Sequence, residues 1–244
     1  MKKLISRFAM AGALLLPLAA SAFVLGPTLP GKWGPPAMGT GASVTWSLMP
    51  TGTSCTDEGA GCTVSHLSSF MPASYHAAIT SAFAAWSAVA DITFTEVPDS
   101  GLSFDAGGAF GDLRIGGHAF DGAGGTLAHG FYPPTNGTSA AGDIHFDIAD
   151  TWEIGFAGLG FDIFTVMAHE IGHAIGLDHT LVPASLMNAF YSEAFVGLQA
   201  DDIAGGVFIY GRAKDVQPVP EPATLALVGL ALLGLTRSRR GIKA

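Results

Sequence analysis

The sequence predicts an α+β domain, and three observations predict it. Strand-like segments come first along the chain, two strongly patterned helices come late, and no repeat of 20 to 50 residues is visible. The length of 244 residues suits one good-sized core.

In order, residues 23–42 are rich in Gly and Pro and read as an irregular lead-in. "ASVTWSLMP" (42–50) reads as a strand. "ASYHAAITSAFAAWSAVA" (73–90) places Ile79, Phe83, Trp86 and Val89 at helical spacing, so an amphipathic helix is expected with Phe83 and Trp86 in the core. "ITFTEV" (92–97) alternates like a strand, and "LRIGG" (113–117) reads as another short one. Residues 118–150, rich in Gly, Asp and His, read as loops suited to ions. "IFTVMAHEIGHAIG" (163–176) reads as a helix stopped at a glycine. "LQADDIAGGVFIYG" (198–211) reads as the last helix, with Asp201 and Asp202 complementing its dipole. Residues 212–222 read as a linker.

The two ends read as targeting segments. Residues 1–22 begin with Lys2, Lys3 and Arg7, run through an apolar stretch and end in Ala20-Ser21-Ala22. That is the pattern of a secretory signal peptide cut before Phe23 by a signal peptidase. At the other end, Ala223–Leu235 is apolar and Arg237, Arg239 and Arg240 follow. As a helix those 13 residues cover ~20 Å of a ~30 Å hydrocarbon layer, so membrane contact through them is expected to be transient. Between the two ends only four Lys+Arg stand against all 20 Asp+Glu, a formal −16 for residues 23–222. Such a polyanion excludes nucleic acid and anionic lipid as partners and favours divalent cations. Cys55 and Cys62 flank a Gly-containing loop. In an exported chain a local disulfide is the expected reading, with a free thiol or a zinc-binding latency switch as the alternatives.

The chemistry concentrates in "HEIGHAIGLDH" (169–179). His169 and His173 are four apart, so a helix presents both on one face to one ion. Gly176 can end the helix, letting the chain turn back and supply His179. Three neutral imidazoles and one open position suit a catalytic zinc, and Glu170, beside the first ligand, suits a general base.

At these residues the chain resembles the matrixin family of the metzincin zinc proteases, over roughly 43–211. That resemblance implies a twisted mixed sheet with an active-site helix and a C-terminal helix. It implies a zinc endopeptidase acting on protein or peptide substrates. In "PASLMNAFY" (183–191) it makes Met187 the methionine of the turn beneath the zinc. "HAFDGAGGTLAHGF" (118–131) and "GDIHFDIADTW" (142–152) resemble matrixin metal loops. They imply His129 and His145 as ligands of a second, structural zinc, and Asp121, Asp147 and Asp150 as calcium carboxylates, with Asp143 serving a second calcium. Matrixins carry a His-Gly-Asp segment seven residues before the position of Asp121. Arg114 stands there, and His118 is the expected substitute ligand. After Met187 the family usually has Tyr-Pro, whereas this chain has Asn188 and Ala189, with Tyr191 nearby. Pro220-Glu221-Pro222, the apolar helix and the Arg cluster together resemble the PEP-CTERM sorting signal. It implies an exosortase-type sorting enzyme and delivery to the cell surface or extracellular matrix of a Gram-negative bacterium. Two other readings compete: a zinc-binding surface or matrix protein that cuts nothing, and a metal- or polysaccharide-binding module. Glu170 separates the first of these from a protease, since a retired site has no need of its base.

Overall fold

Residues 23–106, 111–134 and 139–214 are described by the computed structural model. The expected signal peptide and sorting segment lie outside them. Among the described residues no helix is long and apolar enough to cross a membrane.

The elements follow as β1 (Val24–Leu25), β2 (Ala42–Leu48), a 3-10 turn (Leu67–Ser69), α1 (Tyr75–Val89), β3 (Ile92–Glu96), β4 (Leu113–His118), β5 (Ala128–Gly130), β6 (Ile144–Asp147), β7 (Trp152–Glu153), β8 (Phe161–Asp162), α2 (Ile163–Ala174), β9 (Leu177–Asp178) and α3 (Ala200–Tyr210). The main sheet has the order β3-β2-β4-β6-β5. Its pairs are parallel except β5 with β6, so the sheet is mixed and β5 is an antiparallel edge.

Local sequence explains most of this. α1 buries Ala78, Ile79, Ala82, Phe83 and Trp86, a stripe recurring every three or four residues. Trp46 of β2 stacks on Phe83 at 4.9 Å, and the Trp86 indole N–H donates to Ala168 O at 2.9 Å. That bond fixes α1 against α2. α2 is buried on almost every face. Its start is set by Asp162, whose Oδ2 accepts from the Thr165 N–H at 2.9 Å. Its end is set by Gly176 at φ +111°, where a Cβ would also collide with the Gly31 carbonyl.

Two expectations change. The stretch 118–150 is not all loop: β5 and β6 lie in it. They are three and four residues long, too short to show a period of two; β6 is a strand through its pairing with β4, and β5 through its pairing with β6. The lead-in is also more than irregular. β1 pairs with β9 directly after α2. Trp33 Nε1 donates to Ala174 O at 2.7 Å, and Tyr210 Oη donates to Ile175 O at 2.9 Å. Both carbonyls belong to the last turn of α2, where the helix has no internal donors left.

Candidate active site

His169 and His173 project from α2 one turn apart, and His179 follows β9. Their Nε2 atoms lie 3.1, 3.2 and 3.1 Å from one another. His169 Nδ1 is 2.7 Å from Leu186 O and His173 Nδ1 is 2.9 Å from Leu177 O. A carbonyl only accepts, so both Nδ1 atoms carry the proton and both Nε2 atoms are bare lone pairs. Lone pairs turned on each other at this distance repel unless a cation lies between them. Four ligands ~2.0–2.1 Å from a tetrahedral zinc sit ~3.3 Å apart, close to the spacing here. Burial pulls His169 down to about 3 and His173 down to about 4, with neighbouring histidines adding to the shift. Neutral imidazoles are the form that binds metal. The donor set therefore fits zinc. Asp178 steadies the third histidine, since its Oδ1 accepts from the His179 backbone N–H at 2.7 Å and from Tyr132 Oη at 2.9 Å.

Glu170 is buried, and its Oε2 has no hydrogen-bond partner. Burial pushes its carboxyl up to about 8, against a smaller opposing effect from the Gly130 backbone. A divalent cation at the adjacent histidines is the charge that would compensate the carboxylate.

Met187 packs beneath the histidine-bearing helix. A Cβ on Gly172 would lie 2.2 Å from its Sδ. The turn is tied at both ends: Thr180 N donates to Met187 O at 3.0 Å, and Asn188 Nδ2 donates to Val182 O at 3.2 Å. Asp202 does more than complement a helix dipole. It is fully buried and accepts from Ser185 Oγ at 2.6 Å, Leu186 N at 2.9 Å, Met187 N at 3.1 Å and Gln199 N at 2.7 Å. An acidic pair at a helix start carries no sequence signal for such a role. Over the histidines opens a cleft of about 750 Å³, walled by Tyr132, Phe161, Val166, Leu186, Tyr191 and Phe195.

A second cluster gathers His118, His129 and His145 on the neighbouring strands β4, β5 and β6. Glu58, which the sequence reading missed, reaches into it from the loop closed by the Cys55–Cys62 disulfide. Its Oε2 lies 2.8 Å from His118 Nε2 and 2.9 Å from His129 Nε2, and its Oε1 lies 2.5 Å from His145 Nδ1. Burial alone would raise the Glu58 carboxyl, but the three histidines outweigh it and hold the group far below the usual carboxylate range.

The acidic residues divide. Asp150 feels both Asp147 and Asp121. Asp121 accepts from Thr126, Asp150 from Gly124 and Asp147 from Ala149, while the Oδ2 atoms of Asp147 and Asp150 are buried without a hydrogen-bond partner. Asp143 stands with other neighbours: its Oδ1 accepts from the Arg114 N–H at 2.9 Å, and Asp99 and Glu58 raise its carboxyl further after burial. Arg114, at the family's His-Gly-Asp position, forms a buried two-bond pair with Asp99, Nη2–Oδ1 2.7 Å and Nε–Oδ2 2.8 Å. His66 and His76 lie outside both clusters. His66 Nδ1 is 2.8 Å from Ser68 Oγ, and His76 pairs with Glu96 on the surface.

Several known proteins resemble this chain in sequence. The family model for matrixin matches residues 61–211. The PEP-CTERM protein-sorting motif matches residues 218–240. Stromelysin-3 of Xenopus laevis is 40% identical over 147 residues, 59% of this chain and 29% of that protein. Karilysin of Tannerella forsythia is 40% identical over 139 residues, 55% and 28% of the two chains. The hatching enzyme of Paracentrotus lividus is 42% identical over 137 residues, 54% and 22%. The chain thus spans less than a third of the length of these relatives. The family match runs through α1, every strand of the main sheet but β2, both histidine clusters and the closing helix, and the chain belongs to the matrixin family.

Proposed function

We propose that the chain is a zinc-dependent endopeptidase, exported through residues 1–22 and sorted to the cell surface through residues 220–244. The observation that carries the catalytic reading is the triad of Nε2 atoms at 3.1–3.2 Å, with two of the rings locked by carbonyls at Nδ1. His169, His173 and His179 would hold the zinc, which supplies Lewis acidity toward a peptide carbonyl and toward water. Glu170 takes the proton from the attacking water and passes it to the leaving amine. Its buried position keeps bulk water from competing for that proton. β5 is the sheet edge and lines the cleft, so an extended peptide can add along it. The aromatic wall of Phe161, Tyr191 and Phe195 suits an apolar substrate side chain.

His118, His129 and His145 form the donor set for a second, structural zinc. Asp121, Asp147 and Asp150 form the candidate calcium carboxylates, and the unpartnered buried Oδ2 atoms of Asp147 and Asp150 support that role. Sorting by an exosortase-type enzyme follows from the C-terminal motif.

The test is cleavage of denatured casein by the purified chain beside Glu170→Ala, with zinc measured on both. The expected result is cleavage by the parent, a fall of at least ~100-fold in the variant, and equal zinc. If both hold zinc and neither cuts with calcium present, the chain is a zinc-binding surface protein instead.

A further inference from the structure

We infer that Glu58 is the fourth ligand of the second metal centre, so that the disulfide ring carrying it makes metal loading depend on ring closure. The inference rests on the reading of His118, His129 and His145 as a zinc site.

The ring is small and held from several sides. Cys55 and Cys62 are seven residues apart. Within it Glu58 N donates to Cys55 O at 3.0 Å and Cys62 N donates to Gly59 O at 2.9 Å. Cys55 is fully buried among Met49, Val64, Phe104 and Ala140. Glu58 is thus carried on a short arm bolted to a small core of its own, with its carboxylate delivered to the ends of β4, β5 and β6.

Donor counting at the carboxylate points to a cation. His118 Nδ1 is 3.1 Å from the Ala119 carbonyl, so the neutral ring carries its proton there and turns a bare Nε2 toward Glu58 Oε2 at 2.8 Å. Two acceptors then face each other. The opposite tautomer moves the conflict to Ala119, and only a positive charge at Nε2, whether a proton making the imidazolium or a metal ion, removes it. His145 is fully buried, and neither of its ring nitrogens has a hydrogen-bond partner of acceptable geometry, although Nδ1 lies 2.5 Å from Glu58 Oε1. Close approach without alignment is how ligand atoms sit around a shared ion. Three imidazole nitrogens and one carboxylate oxygen suit tetrahedral zinc.

Among the described residues, Glu58 is the carboxylate within ligand reach of all three histidines, and the segment that carries His-Gly-Asp in matrixins offers no acid here. Arg114 occupies that position, and its guanidinium is committed to Asp99, Leu102 O and Ser103 O. With the ring open, Glu58 would have to be ordered at the moment of binding, and that entropy weakens the site.

The experiment counts zinc per chain by mass spectrometry on the whole chain and measures zinc affinity by competition with a chromophoric chelator. The parent, Glu58→Gln and the pair Cys55→Ser/Cys62→Ser are compared, with far-ultraviolet circular dichroism as the folding control. Two zinc ions are expected in the parent and one in Glu58→Gln. The cysteine pair should bind its second zinc at least ~10-fold more weakly, and the first zinc should be unchanged in all. If Glu58→Gln loses its fold and both ions, the cysteine variant, which keeps Glu58, decides. Two ions held by Glu58→Gln at parental affinity, or a cysteine variant with parental second-site affinity, overturns the inference. A parent with one zinc that His169→Ala removes also overturns it and leaves the catalytic reading intact. A parent with one zinc that Glu58→Gln removes leaves the inference standing and sinks the catalytic zinc.

Discussion

Asp202 and Met187 are joined by a hydrogen bond of 3.1 Å from the methionine backbone N–H to Oδ1, across 15 residues of chain. The same carboxylate holds Leu186 N, and the Leu186 carbonyl in turn holds His169 Nδ1. A buried acid of the last helix therefore orients the His169 imidazole through two backbone groups of one turn.

Replacing Asp202 with alanine strands the buried donors of Ser185, Leu186, Met187 and Gln199. Removing a charged acceptor of this kind is expected to cost about 3–5 kcal/mol. Urea unfolding should show that loss, and zinc affinity should fall along with it. A variant with stability within 1 kcal/mol of the parent, roughly the value of one ordinary hydrogen bond, would mean that the turn is held by its other contacts.

Gly172→Ala pits two effects against each other. Alanine gains up to ~1 kcal/mol of helix propensity. Its Cβ, however, would meet Met187 Sδ at 2.2 Å and Cε at 2.9 Å. Overpacking of that degree costs about 1–3 kcal/mol, so net destabilisation and weaker zinc binding are expected. Adding Met187→Ala should make the pair less harmful than the sum of its parts, a coupling that a double-mutant cycle in thermal unfolding reads directly.

The Arg114–Asp99 pair predicts an acid-labile component of stability. Burial alone would raise the Asp99 carboxyl, but Arg114, the Gly101 N–H and the Ser47 hydroxyl outweigh it and hold the group below its ordinary 3.8. A depressed folded-state value stabilises fully above the ordinary value and is lost as pH falls through the folded one. Acid titration of stability should therefore show a slope below pH 3.8 that Asp99→Asn flattens. Arg114→Met, which leaves Asp99 buried and uncompensated, is expected to cost about 3–5 kcal/mol near neutral pH.

Trp33→Phe removes the donor to Ala174 O and keeps most of the ring. A loss of about 1 kcal/mol is expected, together with faster amide exchange at residues 175–177, where the helix gives way to β9. Unchanged exchange there would show that Tyr210 and β1 hold the helix end without it.

The sequence by itself determined what is written in local spacing. The stripe of α1, the histidine pair one turn apart, the stop at Gly176 and the placing of Glu170 beside His169 are all set by neighbours within about one or two helical turns, and periodicity reports such neighbours directly. Tertiary structure decided what depends on partners far along the chain. β6 is a strand because β4 lies beside it, β5 is one because β6 does, and β1 clamps α2 because β9 passes its edge. Asp202 serves the methionine turn, rather than a helix dipole alone, because packing buries it there. Glu58 reaches three histidines 60 to 87 positions away because a disulfide ring and a mixed sheet place them together. A single carboxylate in a loop has no period and no fixed spacing to its partners, so only the closed fold shows what it faces.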